Sequence, residues 1–184
     1  MVSTLFVITA ISSASLGFMY QLTKEPKAAA ERAKQNFAIK AVLPEYDNDP
    51  SADAYEIESY DGGDQLTCYP AFKNGELTGI AVKTWTMKGF SGLIRLMVGF
   101  DEMGNIINIS VLEQKETPGL GTKMADAEFK DQYNGMNPGS INLAVKKDGG
   151  TIDAITAATI SARAFSDAVD RAYKSLEKFG KLKK

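Results

Sequence analysis

Val2 to Thr23 form an unbroken run of 22 positions without a charge or a proline. As a helix rising about 1.5 Å per residue, the run reaches roughly 33 Å, enough for a hydrocarbon layer of about 30 Å. The pattern predicts a transmembrane anchor over 1–23. Thr9, Ser13 and Gly17 recur every fourth position beside Ala10 and Ala14, a small-residue stripe suited to close packing against another membrane helix. A cleaved leader is the competing reading, since Ser13 to Ser15 offer small residues. No Lys or Arg precedes the run, and its length exceeds that of a leader's apolar core. Lys24, Glu25 and Lys27 nearly cancel, so charge assigns no orientation.

Beyond the anchor the period changes. Lys24 to Leu43 mixes charges with Ala28, Ala29, Ala33, Phe37, Ala38 and Val42, an amphipathic helix that Pro44 ends. Asp47 to Asp53 is acidic and turn-rich, closing a helix-and-linker segment over 24–52. Leu66 to Phe72 and Leu77 to Met87 flank Lys73-Asn74-Gly75, and Leu93 to Phe100 and Ile106 to Leu112 flank a second turn. Both predict β-hairpins. A short helix is expected over Met124 to Tyr133, and strands over Ile141 to Lys146 and Thr151 to Ile155 around Asp148-Gly149-Gly150. Ala162 to Lys178 carries Ala164, Phe165, Ala168, Val169, Ala172 and Leu176 at helical spacing. The expected class is α+β: mainly antiparallel β-hairpins with flanking helices, with 53–184 as one domain and an N-terminal transmembrane helix.

Composition narrows the chemistry. A net charge of −2, with no local Lys/Arg cluster, argues against a nucleic acid partner. The chain has no His, which removes imidazole bases, Ser-His-Asp triads and His-ligated metals. Cys68, its single cysteine, supports neither an internal disulfide nor a thiolate cluster. Demanding chemistry would need an imported cofactor.

Three segments are candidates for holding one. In Thr151 to Phe165, a turn of small and hydroxyl residues leads into a helix, whose unpaired first amides can seat a phosphate. Thr156, Thr159 and Ser161 offer hydroxyls there; on the residues alone an ordinary helix cap by Thr159 or Ser161 is the favoured reading. Glu116-Thr117-Pro118-Gly119-Leu120-Gly121-Thr122 can lay backbone amides against a planar or anionic ligand, or serve as a rigid connector. Gly89-Phe90-Ser91-Gly92, a weaker signal, opens the strand leading into the second hairpin.

The ordered set GFSG, VGFDEMGNIINISVLEQKETPGLGT and DAITAAT resembles the FMN-binding domain of membrane redox complexes. The similarity is greatest to the G-subunit family of the Rnf complex, with the C-subunit family of the Na+-translocating NADH:quinone reductase as a near relative. It covers nearly the whole chain. It implies an electron-transfer flavoprotein subunit of an ion-translocating ferredoxin:NAD+ oxidoreductase, on the extracytoplasmic side of the cytoplasmic membrane. It further implies covalent FMN, joined as a phosphoester to Thr159 by a flavin transferase, with other membrane subunits as partners. Asp153, Thr156 and Ala158 match the remaining motif positions. Glu116, Thr117, Gly119, Leu120, Gly121 and Thr122 become candidate ring or ribityl contacts, and Ser161 a candidate phosphate contact; no catalytic residue or metal is assigned. Alternatives are the C-type subunit, a non-catalytic anchored assembly module and a free-standing flavin reductase. Two positions depart from many relatives. Ala157 stands where they have Gly, so an αR or extended angle is expected there. Gln114 stands where they have His.

Overall fold

A computed structural model describes residues 2–182. The first helix, α1, runs from Val2 to Val42 with Pro26 inside it. The anchor and the amphipathic segment are therefore one helical element, and it stops two residues before Pro44, whose ring forbids another turn. The chain divides into two compact units, one ending at Asn36 and the other beginning at Phe37. Within the first, Leu5, Phe6, Ile8, Ile11, Leu16 and Phe18 are all exposed. This helix is long and apolar enough to cross a membrane.

The second unit is built on a five-stranded antiparallel meander in the order β1-β2-β3-β4-β5. The strands are β1 Tyr55–Ile57, β2 Leu66–Lys73, β3 Glu76–Gly89, β4 Gly92–Phe100 and β5 Ile106–Glu113. Both expected hairpins are present. Asn74 and Gly75 take φ of 53° and 82°, the left-handed pair that a two-residue turn requires. Gly89-Phe90-Ser91-Gly92 is itself a hairpin turn, joining β3 to β4. Asp47 to Asp53 is irregular yet fastened, since Asn48 accepts the Phe72 amide at 2.9 Å and donates to the Pro70 carbonyl at 3.0 Å.

Strand alternation divides the apolar residues between two faces. On one, Leu66, Val82, Leu96 and Val98 pack against Ala164, Phe165, Ala168, Val169, Ala172 and Leu176. Those six lie on the closing helix α3, Thr159–Lys178. On the other face, Tyr69, Ala71, Ala81 and Met97 pack against Ala38, Ile39, Val42 and Leu43. The contact is tight enough that a Cβ on Gly99 would lie 1.9 Å from the Val42 carbonyl oxygen. Polar ties fix α3 in position: Thr84 donates to the Ala168 carbonyl at 2.9 Å, and Asp167 receives Thr86 at 2.7 Å and Lys88 at 2.6 Å.

Two expectations fail. The helix expected over Met124 to Tyr133 is a chain of short pieces: a 3-10 turn Gly121–Ala125, α2 Ala127–Lys130 and a 3-10 turn Asp131–Tyr133. The strands expected around Asp148-Gly149-Gly150 do not form. In their place a 3-10 turn, Lys146–Asp148, sits beside a single parallel bridge from Val145 to Ile152. Leu143, Val145 and Ile152 are buried all the same. Their alternation reflects an extended segment laid on the core, where loop bonds such as Thr151 N–H to the Asn142 carbonyl at 3.1 Å replace a ladder.

Candidate functional site

The three candidate segments meet. A cleft of about 360 Å³ is lined by Phe90, by Glu116, Thr117, Leu120 and Gly121, and by Ala157 through Ser161. The β3–β4 turn delivers Phe90, the loop after β5 delivers the second group, and the start of α3 closes the third side. Phe90 is 68% exposed, with Leu120 and Ile160 also partly in solvent, so the cleft has an apolar rim.

Thr159 is the first residue of α3 and half-buried. The capping residue, Ala158, forms no side-chain cap bond. Amides in the first turn have no acceptor within the helix itself, and the positive end of the helix dipole lies at this wall of the cleft. The ordinary-cap reading thus fails for both hydroxyls: Thr159 lies inside the helix, and the Ser161 hydroxyl donates to the Glu116 carboxylate.

Ala157 takes φ of 60°. This corrects the expected αR or extended angle: the turn keeps the left-handed geometry that suits a glycine, at a cost of roughly 1 kcal/mol for a residue bearing a Cβ. Gln114 accepts the Glu116 amide at 2.6 Å, which makes it a brace for the loop.

Seven of the eleven sequence candidates line the cleft: Thr159, Ala158, Ser161, Glu116, Thr117, Leu120 and Gly121. Gly119 and Thr122 are not among the lining residues; the Gly119 amide donates to the Thr122 hydroxyl at 3.0 Å and stiffens the loop. Asp153 and Thr156 are not brought here. They line a separate cleft of about 420 Å³ with Lys123, Asp126 and Gln132, and Asp153 pairs with Lys146 at 2.7 Å. Sequence reasoning left Phe90, Ala157 and Ile160 off the contact set. The glycines flanking Phe90 were the one signal for it.

Comparison with known proteins decides the family. A model of the FMN-binding domain matches residues 89–174. The G subunit of the ion-translocating oxidoreductase complex from Stutzerimonas stutzeri is 36% identical over 176 residues, covering 92% of this chain and 76% of that protein. Its counterpart from Yersinia pestis is 34% identical over 179 residues, covering 92% and 85%. The chain belongs to this G-subunit family. Among solved structures, Shewanella oneidensis NqrC aligns with a TM-score of 0.51 at 22% identity, over 62% of this chain and 59% of that one. The C subunit of the Na(+)-translocating NADH-quinone reductase from Parabacteroides distasonis gives 0.51 at 17%, over 76% and 79%. These two establish a shared fold.

Membership of the G-subunit family, with an FMN-binding domain over 89–174, raises the question of how well the cleft suits FMN. A hydroxyl and unpaired amides at one end match a phosphate, and the apolar rim matches a flat, poorly hydrated ring. The residues fit the group.

Proposed function

We propose that this chain is the flavin-bearing electron carrier of a membrane-bound, Rnf-type ion-translocating oxidoreductase, with FMN esterified through its phosphate to Thr159. The observation that carries this reading is the placement of Thr159: half-buried at the first turn of α3 and open to the cleft. Bound FMN supplies a centre that takes electrons singly or in pairs. The protein's share is to hold it. The Thr159 Oγ anchors the phosphate, the first-turn amides of α3 neutralise it, and Phe90, Leu120 and Ile160 shield the ring from water. A flavin transferase makes the ester, other membrane subunits pass the electrons, and α1 anchors the chain with its second unit on the extracytoplasmic side. With no nicotinamide fingerprint in the chain, the protein acts as a carrier, and NADH oxidation belongs to its partners.

Intact mass of the full-length protein, co-produced with a flavin transferase, should exceed the polypeptide by one FMN less one water, with the adduct on the Thr159 peptide. Thr159→Ala should abolish the adduct completely; flavin that survives denaturation of that variant refutes the ester. Orientation has its own test. A thiol placed at exposed Ser51 should react with an impermeant reagent in intact cells. Cys68 stays silent there, since it is buried and its thiol is pushed up to about 12 by desolvation. Labelling confined to lysed cells overturns the extracytoplasmic placement.

A further inference from the structure

We infer that Glu116 is the charged keystone of the flavin cleft: its carboxylate ties the three lining segments together, and its charge, paired with no cation among the described residues, lowers the reduction potential of the bound flavin. The second half rests on the flavin reading above; the first half does not.

Glu116 is 5% exposed. One carboxylate oxygen accepts the Ser91 amide at 2.9 Å, from the β3–β4 turn, and the other accepts the Ser161 hydroxyl, from the first turn of α3. Its own backbone belongs to the loop after β5. A single side chain therefore bridges segments 25 and 45 residues away in sequence. Neighbouring glycines make room for it: a Cβ on Gly89 would lie 2.8 Å from Oε1, and one on Gly121 would lie 2.7 Å from Oε2. Among the described residues no ion pair includes Glu116. A buried carboxylate is costly without a cation, and here two hydrogen bonds and the α3 dipole are what the structure offers it. Reduction by two electrons with uptake of one proton leaves a flavin ring with one negative charge. A fixed negative charge lining the same cleft disfavours that state, because the low local dielectric preserves their repulsion.

Replacing Glu116 separates geometry from charge. In Glu116→Gln the amide carbonyl can accept the Ser91 amide while the NH2 group donates to the Ser161 oxygen, so both ties persist without the charge. Glu116→Ala removes both. Hydrogen exchange measured on full-length apoprotein in detergent should show the 89–92 turn exchanging about tenfold faster in Glu116→Ala, the equivalent of one charged hydrogen bond. Glu116→Gln should stay close to the wild type. In the flavinylated protein, dithionite titration should place the midpoint potential of Glu116→Gln above that of the wild type, with flavin still attached. Unchanged exchange in Glu116→Ala overturns the keystone, and an unmoved or lower potential in Glu116→Gln overturns the charge effect. Should Glu116→Ala fail to fold, Ser161→Ala takes its place: freeing one oxygen should speed exchange at the 89–92 turn, and an unaltered rate overturns the tie. A wild-type protein that never acquires flavin sinks the flavin reading while leaving the exchange experiment intact.

Discussion

Two clefts flank Ile160, and the smaller is the one proposed to hold the flavin. The larger, about 620 Å³, is floored by Ile141, Leu143 and Val145. Its rim carries six charges in three pairs: Arg163 with Asp148, Lys88 with Asp167 and Lys174 with Asp170, each at 2.6 Å. Every charge there answers another, which is how surface groups close a seam between a loop and a helix. The smaller cleft, about 360 Å³, inverts this arrangement. It holds one buried carboxylate with no cation among the described residues, a helix start with no side-chain cap, and an alanine in a left-handed turn. Volume marks where the chain leaves space. A buried charge without a counter-ion and backbone strain are the features that concentrate at binding sites.

The comparison can be broken at either cleft. The largest effect belongs to Gly121→Val in the smaller one. A Cβ there would lie 2.6 Å from the Ser161 Oγ and 2.7 Å from Glu116, so both groups must move. Chemical denaturation of the full-length protein should show a loss of about 2–3 kcal/mol, as overpacking typically costs, along with poorer flavin loading. A variant with unchanged stability would mean that the walls of this cleft are soft. Ala157→Gly should act in the opposite direction. Releasing the left-handed strain is worth roughly 1 kcal/mol, less the entropy that a glycine gives up on folding. A higher denaturation midpoint with flavin loading retained is the expected outcome.

The smallest effect belongs to the larger cleft. The hydrogen bond from Arg163 holds the Asp148 carboxyl below its ordinary 3.8. A lowered carboxylate pKa adds stability that is present above the unfolded value and is lost as pH falls through the folded one. Asp148→Asn should therefore melt slightly below the wild type at neutral pH and converge with it in acid below that range. Flavin loading should not change. A flavin defect in this variant would make the larger cleft part of the site.

The hairpins and α3 were legible because their apolar residues repeat with period two and period 3.6 over long stretches, and tertiary packing agreed with both. Asn74-Gly75 was legible from turn chemistry alone. The 141–155 region was not: alternation at Leu143 and Val145 records which side is buried, and that pattern is shared by a strand and by an extended loop lying on the core. Thr159 was singled out by resemblance alone, since sequence physics favoured an ordinary helix cap over a phosphate seat. The meeting of the GFSG turn with the other two segments was invisible for a different reason. It runs through a carboxylate whose partners lie far away in sequence, and nothing local distinguishes Glu116 from a solvated glutamate. Asp153 and Thr156 illustrate the reverse. A motif contiguous in sequence is divided by the turn at Ala157 between two separate clefts.

The last turns of α1 decide where the chain can be shortened for work without detergent. Ala38, Ile39, Val42 and Leu43 form the cover of the second sheet face, so the folded unit begins at Phe37 and not at Pro44, just beyond the end of the helix. A truncated protein starting near Asn36 keeps that cover and should remain monodisperse. One starting at Pro44 would present Tyr69, Ala71, Ala81 and Met97 to water as a flat apolar sheet, a surface that invites self-association.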